Sequence, residues 1–126
     1  MNEQLSRQTT IERVLQDMIT QGGFYGAVVA TSDGLPIAMV GVSTIDTNLL
    51  GAVAASLKGL ASRAHQNLDE ICIRDQHGEQ VVSRYFSITA PQGKFNLLLA
   101  VCVPPRKSYR RLFNRTIKQI QQVWVG

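Results

Sequence analysis

The sequence predicts an α/β (α+β) domain: a five-stranded antiparallel sheet of order 2-1-5-4-3, with two terminal helices on one face and one central helix on the other. Three observations lead there. Hydrophobic period divides the 126 residues into helix, strand, strand, helix, strand, strand, strand, helix. Two strand segments, 24–31 and 94–103, are apolar almost throughout, as central strands covered on both faces should be. Short turns join the third, fourth and fifth strands into a meander, which leaves the first and fifth as central neighbours.

The first helix follows from Ile11, Val14, Leu15, Met18 and Ile19, spaced i, i+3, i+4, i+7, i+8. Thr9 or Thr10 is its expected N-cap and Gly22-Gly23 its stop. The next segment, TSDGLPIA at 31–38, joins two apolar runs. Asp33-Gly34 is a strong hairpin signal, because Gly takes φ > 0 without steric cost and Asp tolerates the preceding turn position. Pro36 cannot donate to a ladder, so the second strand, 35–42, belongs at a sheet edge or starts with Pro36.

A central helix is expected over about 46–66, with Asp46 as N-cap and Ile45 and Leu50 spaced as a hydrophobic staple. Leu49, Leu50, Val53, Leu57, Leu60, Ala61 and Ala64 form its broad apolar face. The adjoining face is small: Gly51, Ala52, Ala55, Ser56, Gly59 and Ser62. Each interior glycine costs up to about 1 kcal/mol relative to alanine, so another surface is expected to approach that face closely.

Glu70 to Arg74 is a short third strand with Ile71 and Ile73 on one side, and Gln76-His77-Gly78 turns the chain into a fourth strand, Gln80 to Ala90. Pro91-Gln92-Gly93 turns it again into Lys94 to Val103, which Pro104-Pro105 ends. Ser108 is the expected cap of the last helix, whose apolar face is Tyr109, Leu112, Phe113, Thr116, Ile117, Ile120, Val123 and Trp124. The third strand becomes an edge with neither proline nor lysine to blunt it, and the small face of the central helix is uncovered. Both features predict self-association.

Length fits one domain over 1–126, burying roughly two-thirds of the surface that the unfolded chain exposes. Charge is uneven. Residues 1–79 hold all nine acids and five basic residues, whereas 80–126 hold eight basic residues and no acid. Arg106, Lys107, Arg110, Arg111, Arg115 and Lys118 share one thirteen-residue window, mainly on the polar face of the last helix. That helix uses its apolar face to cover the sheet, so membrane insertion is not expected, and nucleic-acid or membrane-surface contact ranks as a lesser alternative. MNEQLSRQTTIER lacks the apolar segment of a secretory signal and no stretch is long enough to span a bilayer, so a cytoplasmic protein is expected.

Cys72 and Cys102 lie in apolar runs without CxxC spacing and read as small core hydrophobes. His65 and His77 have no cysteine or carboxylate at zinc-ligand spacing, and Gly22-Gly23 lacks the Lys and Ser/Thr of a phosphate-binding loop. No catalytic, cofactor or metal residue is assigned, and the chain is not read as an enzyme.

GGFYGAVVATSDGLPIAMVG, followed by LLGAVAASLKGLASRA, resembles the roadblock family, the dynein-light-chain-related proteins, over about residues 11–122; its fold is similar to profilins and longins. The resemblance implies a homodimer in which third strands and central helices pair across a two-fold axis, and a non-catalytic adaptor or regulator of a Ras-like small GTPase. Its interface would draw on Gly51, Val53, Ala55, Leu57, Lys58, Gly59, Leu60, Ala61, Ser62, Ala64, Ile71 and Ile73. Some relatives stimulate GTP hydrolysis by repositioning the GTPase's own residues. Arg63 and Arg74 are the nearest candidates for an arginine finger, but each reads as a solvated surface arginine. The alternative is a small-molecule-sensing or scaffold module of profilin-like fold, although the apolar faces offer few polar groups to line a pocket.

Overall fold

The computed structural model describes residues 3–31, 35–41, 70–74 and 76–125. The N-terminal helix, Glu3–Gly22, leads into β1 (Gly26–Thr31) and β2 (Pro36–Gly41); β3 (Glu70–Arg74), β4 (Gln80–Ala90) and β5 (Gly93–Val103) precede the C-terminal helix, Arg110–Val125. The strands form one sheet of order β2-β1-β5-β4-β3, antiparallel throughout, as the sequence predicts.

The two helices lie on one face. Ile11, Leu15, Met18, Phe113, Ile117 and Ile120 bury themselves against Val29 of β1, Val82 and Ile88 of β4, and Leu97, Leu99 and Val101 of β5. They run antiparallel to one another. Arg115 hydrogen-bonds Gln21 at one end, and the Arg7 guanidinium stacks 4.8 Å from the Trp124 ring centre at the other. The opposite face of the central strands is buried too, through Val28, Ala30, Leu98 and Ala100. The expected central helix at 46–66 and the turn residues Asp33 and Gly34 lie outside the described residues.

The N-terminal helix corrects one expectation. It starts at Glu3, not at a cap on Thr9 or Thr10. Thr10 lies inside the helix, where its hydroxyl donates to the Ser6 carbonyl at 2.9 Å, the bond to the fourth residue back that a threonine in a helix interior makes. The predicted stop is where the glycines put it. Gly23 has φ 68°, and the amides of Gly23 and Phe24 both donate to the Ile19 carbonyl, at 2.9 and 3.1 Å. Gly22 has a separate reason, since a Cβ there would fall 2.4 Å from the Phe24 ring.

The C-terminal helix begins one residue later than a Ser108 cap implies. The Tyr109 carbonyl accepts the first helical bond from the Phe113 amide, at 2.9 Å. Tyr109 is fixed at this turn by its ring, 4.9 Å from that of Phe113, and by its hydroxyl, which donates to Glu70.

Candidate protein interface

The two sheet edges are built differently. On β2, Pro36 is the first strand residue, as its missing N–H demands. Val29 pairs with Ala38 and Ala30 with Pro36, so Ile37 is an extra residue that bends the edge. Ala38 is buried, with Ile37 and Val40 packed on the helix-covered core. Thr31 and Leu35 close the hairpin through Thr31 N–H to the Leu35 carbonyl and Leu35 N–H to the Thr31 hydroxyl, at 2.9 and 3.1 Å.

β3 pairs with β4 alone among the described strands. Ile71 lies opposite Ser83 and Ile73 opposite Val81, so both isoleucines share the sheet face turned away from the two helices. Ile73 remains 47% exposed, and Cys72 and Arg74 are exposed beside it. The expectation that Cys72 is a core residue fails here, because this edge strand has a neighbour on one side only. Its thiol donates to the Gln80 side chain at 2.9 Å. Cys102, on central β5, is half-buried, and burial first, with the nearby Glu79 charge second, pushes its thiol above the usual value.

Polar contacts fasten β3 from the helix side. The Glu70 carboxylate receives two bonds from Arg84, Nη2 at 2.8 Å and Nε at 3.1 Å, and a third from the Tyr109 hydroxyl at 2.9 Å. Arg84 also bonds Asn114 and lies 5.5 Å over the Phe113 ring. Burial, then the hydrogen bond to Glu70, holds the Tyr109 phenol above its ordinary pKa. Sequence reasoning missed this group. Glu70 and Arg84 face one another once the turn at 76–78 sets the register, so that pair was recoverable from strand pairing, whereas Tyr109 and Asn114 arrive only through the packing of the last helix.

Of the interface residues expected from sequence, Ile71 and Ile73 are described and share one face of an open edge. Gly51, Val53, Ala55, Leu57, Lys58, Gly59, Leu60, Ala61, Ser62 and Ala64 lie outside the described residues. Among the described residues, no group of three or more His, Cys, Asp or Glu comes together as a metal site needs, and no helix is long and apolar enough to cross a membrane.

A family model, the Roadblock/LC7 domain, matches residues 10–79. The chain belongs to the Roadblock/LC7 family. The matched span runs from the N-terminal helix through the open β3 edge, so both sheet edges fall inside it. A relative, the uncharacterized protein MJ0714 of Methanocaldococcus jannaschii, is 30% identical over 80 residues, covering 60% of this chain and 68% of MJ0714. The fold is similar to the gliding protein MglB of Thermus thermophilus, with a TM-score of 0.69 at 12% identity, over 94% of this chain and 90% of that one. It is also similar to an MglB described in a tetrameric arrangement, with a TM-score of 0.65 at 13% identity, over 94% of this chain and 90% of that one. These likenesses extend past residue 79, so the Roadblock/LC7 fold here includes β4, β5 and the C-terminal helix.

Proposed function

We propose that the chain is a single roadblock-type domain over 1–126, with its core at about 11–122, that acts as a non-catalytic homodimeric adaptor for a Ras-like small GTPase. The observation that carries this reading is the open edge of β3, where Ile73 is 47% exposed and no described strand covers the outer side. An uncovered, unblunted strand edge is a template for a second strand. A second copy supplies one by symmetry, since an interface about a two-fold axis uses the same patch on both subunits. Membership in the Roadblock/LC7 family and the tetrameric arrangement described for a structurally similar MglB support an assembling module.

In this reading the GTPase rests on paired 46–66 segments, drawing on Val53, Leu57, Lys58, Leu60, Ala61 and Ala64. The small residues Gly51, Ala55, Gly59 and Ser62 set the close approach between copies. Any effect on GTP hydrolysis works by repositioning the GTPase's own residues. The test is titration calorimetry of the chain against a Ras-like GTPase of the same organism loaded with GDP or a non-hydrolysable GTP analogue. Binding that prefers one nucleotide state and is lost in Ala55→Glu supports the adaptor reading; no heat with either form contradicts it.

A further inference from the structure

We infer that the exposed basic ridge of the C-terminal helix, doubled in the homodimer, is a docking surface for an anionic lipid bilayer. The inference rests on the proposed dimer for its geometry.

The ridge is clustered in sequence, from just before the C-terminal helix to its middle, and open to solvent. Arg106, Lys107, Arg110, Arg111, Arg115 and Lys118 are all exposed, and the chain from 80 to 126 holds no acid; Glu12 and Asp17 stand on the neighbouring N-terminal helix, and Glu70 is held by Arg84 and Tyr109. The helix has no apolar side to spare. Phe113 and Ile120 are fully buried and Ile117 nearly so, which leaves the exposed face to charge and amide groups. Such a ridge can attract an anionic surface but cannot insert into it.

Position within the sheet decides which anion fits. The C-terminal helix lies over β4 and reaches β3, as the bonds from Tyr109 to Glu70, Arg84 to Asn114, and Gln121 to the Ser87 carbonyl show. The N-terminal helix lies over β1 and β2 at the other side. When two β3 edges pair antiparallel about an axis normal to the sheet, both copies keep their helices on one face. Strands are spaced about 4.8 Å apart, so β4 and its mate stand about 14 Å apart and the two C-terminal helices flank the axis. Arg110, Arg111, Arg115 and Lys118 stand on that helix in each copy, with Arg106 and Lys107 just before it, so the helix-borne charges lie on the side of the assembly opposite the face turned toward Ile71 and Ile73. A broad, flat anionic surface meets both ridges at once, and two linked contacts bind far more tightly than one. Each basic residue near such a surface contributes about a fivefold gain in partitioning. The face that carries Ile71 and Ile73 thus turns away from the bilayer.

The experiment is co-sedimentation of the full chain with phosphatidylcholine vesicles and with vesicles of phosphatidylcholine and phosphatidylserine at roughly 7:3, at about 50 and about 300 mM salt, with a DNA duplex of about 20 base pairs in parallel. The same samples are weighed by light scattering. The expected result is binding to the anionic vesicles only, weakened strongly by salt, and reduced by about ten-thousandfold in Lys107→Gln/Arg111→Gln/Lys118→Gln, in line with six lost contacts per dimer. Glutamine is a good helix former at Arg111 and Lys118, and Lys107 is exposed and precedes the helix, so that variant should keep the dimer mass and melting temperature. A dimer that ignores anionic vesicles at the lower salt overturns the lipid surface while leaving the adaptor reading standing. Tighter binding to DNA than to vesicles reassigns the ridge to nucleic acid and also overturns it. A wild type that binds anionic vesicles as a monomer overturns the two-ridge geometry, and in that case it is the dimer that has failed.

Discussion

At one edge of the sheet, β2 starts on Pro36, carries the extra residue Ile37 and buries Ala38 beneath the N-terminal helix; at the other, β3 exposes Ile73 and is fastened by Glu70, Arg84 and Tyr109. The first edge is anchored by apolar burial and blunted by its own chemistry. The second is anchored by directional polar contacts, and no described strand covers its outer side. The difference shows how one sheet can close one side against strand addition and offer the other. A strand that is to pair with another molecule gains from being held in register by side chains that do not occupy its outer edge.

Removing the support beneath the open edge has the largest expected effect. Phe113 is fully buried, meets Phe24 edge-on at 6.1 Å, and carries Arg84 over its ring. Phe113→Ala should cost about 3–5 kcal/mol in urea denaturation, with the helix contact to β3 lost as well. Glu70→Gln acts more narrowly. Its side chain is 23% exposed and that of Arg84 16%, so solvent screening moderates the pair, and a loss of about 1–2 kcal/mol is expected. A double-mutant cycle with Arg84→Met checks that this loss belongs to the pair.

How much of this was legible in the sequence depends on the range of the interaction. β3 and β4 matched their predicted bounds, because period-two patterning and turn residues are local signals. Pro36 marked its edge for the same reason. The helix start was missed because Thr9 and Thr10 look like caps until the Ser6 carbonyl is seen accepting from Thr10. Cys72 was misread because its apolar neighbours were weighed above the edge position that the same sequence gives the third strand, where a side chain has fewer neighbours to bury it. Tyr109's part in the Glu70 group was invisible because it lies 39 residues away and meets Glu70 only through tertiary packing. Of the expected interface, Ile71 and Ile73 are placed at the open edge, and the positions between 51 and 64 stay as proposals.

Two smaller effects sharpen the contrast. The Tyr85 hydroxyl is buried without a hydrogen-bond partner among the described residues, and burial raises its pKa. Tyr85→Phe removes that unsatisfied group and should stabilise the chain by about 1 kcal/mol, read as a higher melting temperature. Unchanged or lower stability would mean that the hydroxyl is satisfied in solution. Thiol labelling compares the edge with the centre directly. Under native conditions at mildly alkaline pH, Cys72 should react first, with Cys102 at least about tenfold slower, because burial both shields that thiol and disfavours its thiolate.

We propose that β3, and not β2, is the edge through which copies meet. Light scattering on the wild type, Ile73→Lys and Met39→Lys tests it, since both residues are nearly equally exposed, at 47% and 45%, on opposite edges. The account predicts twice the 13.9 kDa chain mass for the wild type and for Met39→Lys, and a single chain mass for Ile73→Lys at the same micromolar concentration. A monomeric wild type, or a dimer broken by Met39→Lys and untouched by Ile73→Lys, would contradict it.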